Sequence, residues 1–98
     1  MVFIWDEKKN QQNIKKHGFD FTDAKQVFDK VLLASLDDSR DYGEDRWVGI
    51  GMLQNGTIVV VVFTEEDDDV IRIISMRKAN KNEKEKYEQE IKYRLGPY

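Results

Sequence analysis

Asn55-Gly56 restricts what this chain can fold into more than any other pair of residues. It lies between two apolar runs, Met52-Leu53 and Ile58 to Phe63. Asn and Gly tolerate the positive φ angles of a tight type I′ turn, so the two runs are expected to double back as an antiparallel hairpin. Ile58 to Phe63 is apolar throughout, the pattern of a central strand covered on both faces. Arg46 to Leu53 reads as its partner, with Gly49 and Gly51 marking a bulge or a close backbone approach. Beyond an acidic tip at Glu65 to Asp69, Val70 to Met76 reads as the third strand of a meander.

The flanking segments supply helices. Val2 to Trp5 is a short run with strand preference, and Trp5 is expected in the core. Asp6 suits a helix N-cap and Glu7 the first turn, so a helix runs to about His17 and stops at Gly18. Ile14 is its one large aliphatic side chain, which leaves most of that helix facing water or a partner. Phe21, Ala24, Val27 and Phe28 then form an apolar stripe on a second helix. Val31 to Leu36 reads as a strand and Asp37 to Asp45 as a polar loop. Asn80 and Glu83 are spaced as a capping box for a last helix. Tyr87, Ile91 and Leu95 line one side of it, and Gly96-Pro97 ends it. The expected order is β-α-α-β-β-β-β-α, an α+β fold with a mostly antiparallel sheet, in a single domain over residues 1–98.

Composition narrows the chemistry. The 98 residues contain no Cys and one His, which excludes disulfides, thiol nucleophiles and any site with several Cys or His metal ligands. A carboxylate-only magnesium site stays open, although the acidic residues cluster in expected loops. No metal or other cofactor is expected. No 18-residue apolar run and no signal peptide is evident, so a cytoplasmic protein without membrane contact is expected. The net charge of −3 is unevenly spread. Residues 1–36 hold six Lys/Arg against five Asp/Glu, residues 37–69 two against ten, and residues 70–98 eight against four. A nucleic-acid site built from the two ends would feel a field unlike the average, although a basic stretch is more often plain solvated surface.

Three ordered blocks resemble one family. Trp5, Asp6, Lys9, Asn13, Lys16, His17, Gly18, Phe21 and Ala24 form the first. Arg46, Ile50 and Gly51 form the second. Arg72, Ile73, Ile74, Ser75, Arg77, Ala79, Glu83 and Tyr87 form the third. Their order and spacing over residues 3–88 resemble the BrnT ribonuclease toxins. Glu7 departs from the family's common proline, and Met76 from its usual small residue. The resemblance implies a RelE-like fold and a metal-independent endoribonuclease that cleaves RNA and inhibits translation and growth. It also implies a BrnA-like antitoxin in a heterotetrameric complex that binds DNA through the antitoxin. A non-catalytic RNA- or protein-binding module of the same fold, or an orphan without toxicity, is the alternative.

Metal-free RNA cleavage must deprotonate a 2′-hydroxyl, stabilise the phosphorane, protonate the leaving oxygen and hold the strand in line. Histidine is the residue type whose ordinary pKa lies near neutrality, which makes His17 the candidate for acid–base work, but its imidazole also suits a helix C-terminus. Lys9, Asn13 and Lys16 fall at i, i+4 and i+7 on one helix face, with His17 beside it, ready for a phosphodiester or merely solvated. Arg72 inside an apolar strand is expected either at a phosphate or in a structural ion pair. Strict alternation would put Arg77 on the opposite face, so the two can share a phosphate only if the chain bends between Ser75 and Arg77. The catalytic set expected from the resemblance is His17, Lys9, Arg72 and Arg77. Asn13, Lys16, Arg46 and Tyr87 are expected to bind RNA, with an edge-strand charge the competing role for Arg46 and core packing that for Tyr87.

Overall fold

β-Branched and aromatic residues dominate the middle of the chain, and they pair there as a sheet. The computed structural model describes residues 1–38 and 41–96. The strands are β1 (Val2–Ile4), β2 (Leu33–Asp37), β3 (Arg46–Met52), β4 (Ile58–Glu65) and β5 (Val70–Lys78). They lie in the order β1-β5-β4-β3-β2. β2 to β5 form an antiparallel meander, and β1 lies parallel to β5 with Val2 beside Val70 and Ile4 beside Arg72. Helix α1 (Glu7–His17), a 3-10 helix (Phe21–Asp29) and helix α2 (Lys81–Leu95) complete the fold.

The helix ends follow from their capping residues. Asp6 accepts from the Lys8 and Lys9 amides, and Gly18 closes α1 at φ 80° with its N–H on the Ile14 carbonyl. Asn80 and Glu83 make the reciprocal capping box of α2. Gly96 follows α2 at φ 94°, while Pro97 lies outside the described residues. Ser39 and Arg40 of the expected polar loop also lie outside them.

Four local expectations need correction. The hairpin between β3 and β4 is not type I′. Gly56 donates to the Leu53 carbonyl at 2.9 Å, and Leu53 donates to Thr57 at 2.9 Å. Gly56 has φ 89°, whereas Asn55 keeps a negative φ and accepts the Thr57 amide on Oδ1. That is a type I turn followed by a glycine bulge, favoured because the Asn side chain closes its own turn. The second helix is 3-10, not α. Its buried residues Phe21, Ala24 and Val27 recur every three positions, which eclipses them on a 3-10 helix. β2 starts at Leu33 rather than Val31, whose carbonyl instead accepts the Tyr87 hydroxyl at 2.8 Å. Leu95 is 74% exposed, so the apolar stripe of α2 ends at Ile91.

Each sheet face has its own core. On one, the 3-10 helix packs Phe21, Ala24 and Val27 against Val59, Val61, Phe63, Ile71, Ile73 and Met76. Phe28 packs between the rings of Phe3 and Phe63, tilted to the first and edge-on to the second, and Trp5 lies edge-on to Phe21. On the other, α2 sets Tyr87 and Ile91 over Ile50, Ile58 and Val60.

Gly49 and Gly51 mark a close approach, not a bulge. A Cβ on Gly51 would stand 2.6 Å from Val27 Cβ, and one on Gly49 would stand 2.8 Å from Leu32 Cδ1. The 3-10 helix therefore rests directly on the β3 backbone. Gly51→Ala should push that helix off and cost about 1–3 kcal/mol, as overpacked cores do. Urea unfolding of the variant checks this, and an unchanged midpoint would mean the contact yields freely.

Candidate functional site

The site is built on a defect in β5. Val62 pairs with Ser75 but Phe63 pairs with Ile73, so Ile74 is an extra residue and the strand bulges there. The cause is hydrophobic. Regular alternation after Ile71 and Ile73 would turn Ser75 into the core, whereas the bulge buries Met76 completely. A buried Met side chain contributes roughly 1.5–3 kcal/mol that a serine would not. The register of Arg72, Ser75 and Arg77 opposite Thr64, Val62 and Val60 therefore places both arginines on the face shared with α2. The expected bend lies at Ile74, one step before the Ser75–Arg77 segment.

Both guanidinium groups are held by carboxylates. Arg72 Nη2 meets Glu44 Oε1 at 2.7 Å, and its Nε meets Glu66 Oε1 at 3.3 Å. Glu44 also accepts from Arg46 Nε at 3.2 Å, and the Arg46 guanidinium lies 4.0 Å over the Tyr42 ring. Arg77 donates Nη1 and Nη2 to the two oxygens of Glu83, each at 2.8 Å. The hydrogen bond from Arg72 holds the Glu44 carboxyl below its ordinary pKa, and that from Arg77 does the same for Glu83. Among the described residues, no group of three or more His, Cys, Asp or Glu side chains is disposed around a metal ion.

Helix α1 closes the edge of β5 beyond the short β1. Asn13 Nδ2 donates to the Met76 carbonyl at 2.8 Å and to the Phe19 carbonyl at 3.0 Å, and Oδ1 accepts from Met76 N. Asn13 is 7% exposed and both its donors are taken, so it clamps the helix to the sheet instead of facing solvent. Asn10, buried beside it, accepts from Phe21 N at 2.8 Å and donates to Asp20. At about 100° per residue, Asn10 points toward the 3-10 helix while Lys9 and Lys16 project about 40–60° to the other side of Asn13. Both lysines are exposed, and this rotation turns them away from the 3-10 helix. His17 is half-buried at the end of α1, on the Asn10 side.

Tyr87 is 1% exposed and its hydroxyl is satisfied by Val31, so it packs the core. Arg46, on the same face as Arg72 by strand alternation, joins the Glu44 network. Sequence reading did not identify Glu44, Glu66 or Asn10 as part of this arrangement. The first two lie in segments that read as plain acidic loops. Asn10 had a usable signal, since with Asn13 and Ile14 it recurs at i, i+3 and i+4 along an otherwise charged helix. Between α2 and β2 a cleft of about 620 Å³ opens on the same face, lined by Ser35, Val48, Glu83, Lys86 and Arg94 among others.

The fold and site together define a small α+β protein with an arginine-bearing sheet face, flanked by a lysine-bearing helix. Residues 5–83 match the family described as the ribonuclease toxin BrnT of type II toxin–antitoxin systems, and the chain belongs to that family. The crystal structure of the Brucella abortus ribonuclease toxin BrnT is similar, at 31% identity and a TM-score of 0.61. The match covers 83% of this chain and 100% of that one. No curated protein sequence is significantly similar. No helix among the described residues is long and apolar enough to cross a membrane.

Two outcomes follow from this geometry. Asn13→Ala strands the Met76 N–H and carbonyl in a buried edge and should cost about 1–3 kcal/mol for each orphaned group. Thermal unfolding beside RNA binding checks it: weaker RNA binding at unchanged stability would assign Asn13 to the ligand instead. Glu83, held below its ordinary value of 4.5, contributes stability that is complete above that pH. This stability is lost as pH falls through the lowered folded value. The stability gap between wild type and Glu83→Gln should therefore close on acidification below pH 4.5. A gap that stays constant through that window would mean the ion pair does not stabilise the fold.

Proposed function

We propose that the chain is a metal-independent endoribonuclease, the toxin of a type II toxin–antitoxin pair, working from a RelE-like site on the open sheet face. The observation that supports this most directly is the bulge at Ile74, which lets Arg72 and Arg77 share a face they would otherwise split. The two lie roughly 15 Å apart along the strand, a span suited to gripping a nucleic-acid backbone at more than one point. Arg72 and Arg77 would meet different phosphates of the same strand, one of them the phosphorane at the scissile bond. Lys9 and Lys16 would hold the flanking phosphodiesters, and Arg46 would add a further cation behind Glu44. His17 would move protons, entering from the end of α1. Asn13 and Tyr87 would support this face from within the fold.

The partner in this reading is a BrnA-like antitoxin that lies against the sheet and its basic face, blocking Arg72 and Arg77. It would carry the DNA-binding domain of a heterotetrameric complex. Complementary charge would speed such an encounter. The carboxylate pairing of both arginines supports a second reading, a non-catalytic binding module, because paired guanidinium groups are less free to meet a transition state.

Purified protein incubated with RNA in EDTA separates the two. Cleavage is expected to persist in the chelator and to fall on the order of 10²-fold or more in Arg72→Ala. The melting temperature should change little, since partly exposed ion pairs contribute modestly to stability. Activity abolished by EDTA and restored by magnesium would sink the metal-independent mechanism. RNA binding without any cleavage would establish the binding module.

A further inference from the structure

Glu83 is built into two networks at once. Its Oε1 accepts the Asn80 backbone N–H at 2.8 Å, completing the α2 capping box, and also accepts Arg77 Nη1 at 2.8 Å. Its Oε2 accepts Arg77 Nη2 at 2.8 Å. The Glu83 side chain is 23% exposed and Arg77 40% exposed. A guanidinium has five N–H donors in one plane. Glu83 takes the end of that plane, and Arg77 Nη1 also donates to the Lys78 carbonyl at 3.3 Å. The Nε–H and the second Nη2–H, the two parallel donors along the side of the plane, have no partner among the described residues. That edge is the bidentate fork that fits a phosphate.

We propose that Glu83 is a positioning residue for Arg77: it fixes the guanidinium by its end and leaves the Nε/Nη2 edge aligned for a substrate phosphate. This deepens the proposed ribonuclease reading and rests on it. The Asn80 backbone N–H on Oε1 supplies the anchor, and that bond does not depend on the Asn80 side chain. Asn80 Oδ1 separately accepts the Glu83 amide at 2.8 Å, which holds the helix start. Asn80 and Ala79 continue directly from β5, so helix start, carboxylate and arginine form one short closed loop. An arginine free to rotate would still attract RNA, but it would meet the phosphorane in many orientations. Displacing a reacting or stabilising group by about 1 Å costs on the order of 10²-fold.

The proposal separates kcat from KM. Glutamine also serves at the third position of a capping box, so Glu83→Gln keeps the helix start while removing one charged acceptor from the fork. Removing a negative charge beside the site should leave KM for RNA unchanged or lower. The lost alignment should reduce kcat by about 10- to 100-fold. Asn80→Ala tests the bland explanation, because it weakens the cap without touching Arg77. It should lower the melting temperature and leave kcat near wild type.

The experiment measures steady-state cleavage of one RNA by wild type, Glu83→Gln, Asn80→Ala and Arg77→Ala. Wild-type or faster kcat in Glu83→Gln, with Arg77→Ala inactive, overturns the positioning role and leaves the ribonuclease reading intact. An equal kcat loss in Asn80→Ala also overturns it, assigning the effect to α2. If Arg77→Ala cleaves as well as wild type, the catalytic reading of Arg77 itself fails.

Discussion

One extra residue in β5 decides what the sheet can present to solvent. Without the bulge at Ile74, the strand would bury Ser75 and Arg77 beside Val59 and Val61, an arrangement that leaves a charge without water. With it, Met76 fills the space between Val61 and the 3-10 helix, and the arginine side chains stand on the face that carries Thr64 and Val62. The energetic cause is apolar burial, yet its result is electrostatic. Two cations of one strand face the same side because a methionine and a serine compete for one core position.

The same strand poses a second problem at its edge. β1 pairs with β5 only from Val70 to Arg72, so the N–H and carbonyl of Met76 would otherwise form an open edge. Such edges recruit other chains. The Asn13 side-chain amide answers by copying a peptide group: it accepts from Met76 N and donates to Met76 O, as a neighbouring strand would. This sets the rotation of α1. With Asn13 on the strand and Asn10 on the Phe21 amide, Lys9 and Lys16 cannot face the 3-10 helix. Edge protection and the direction of the basic helix face are therefore one constraint.

How much of this is legible in the sequence depends on whether the signal is local. Asp6, Gly18, Asn80 and Glu83 announce the helix ends because a cap acts over a few residues. The apolar run of β4 and the glycine hairpin announce the meander for the same reason. The 3-10 winding of Phe21–Asp29 was encoded in a three-residue spacing that an α-helix also partly accommodates. The bulge is less accessible, since it depends on Met76 finding Val61 and Val59 across the sheet. Asn13 illustrates the limit best. On its own helix it sits in line with Lys9 and Lys16 and looks like one more polar group for a ligand. Only its bond to a residue 63 positions away shows otherwise. Of the carboxylates around Arg72, Glu66 lies in the adjoining turn, but Glu44 comes from a loop 28 positions away.

The extent of the open face is set by how soon α2 runs out of apolar residues. Tyr87 and Ile91 cover Ile50, Ile58 and Val60, but Leu95 projects into solvent. A longer apolar stripe would have buried more of the sheet. Under a longer lid, Arg72 and Arg46 would be desolvated along with Glu44, and a buried ion network of that kind seldom repays its desolvation. Partial cover avoids this cost. The apolar half of the face anchors the helix, while the arginine half keeps enough water for its charges. The carboxylates need not cancel that half electrically. Glu44 and Glu66 engage Arg72 through Nη2 and Nε, which leaves the Nη1 donors unengaged among the described residues. Carboxylates placed along one edge of a guanidinium restrict its rotation more than they block its remaining donors, so the pairing that looks like neutralisation also serves as alignment.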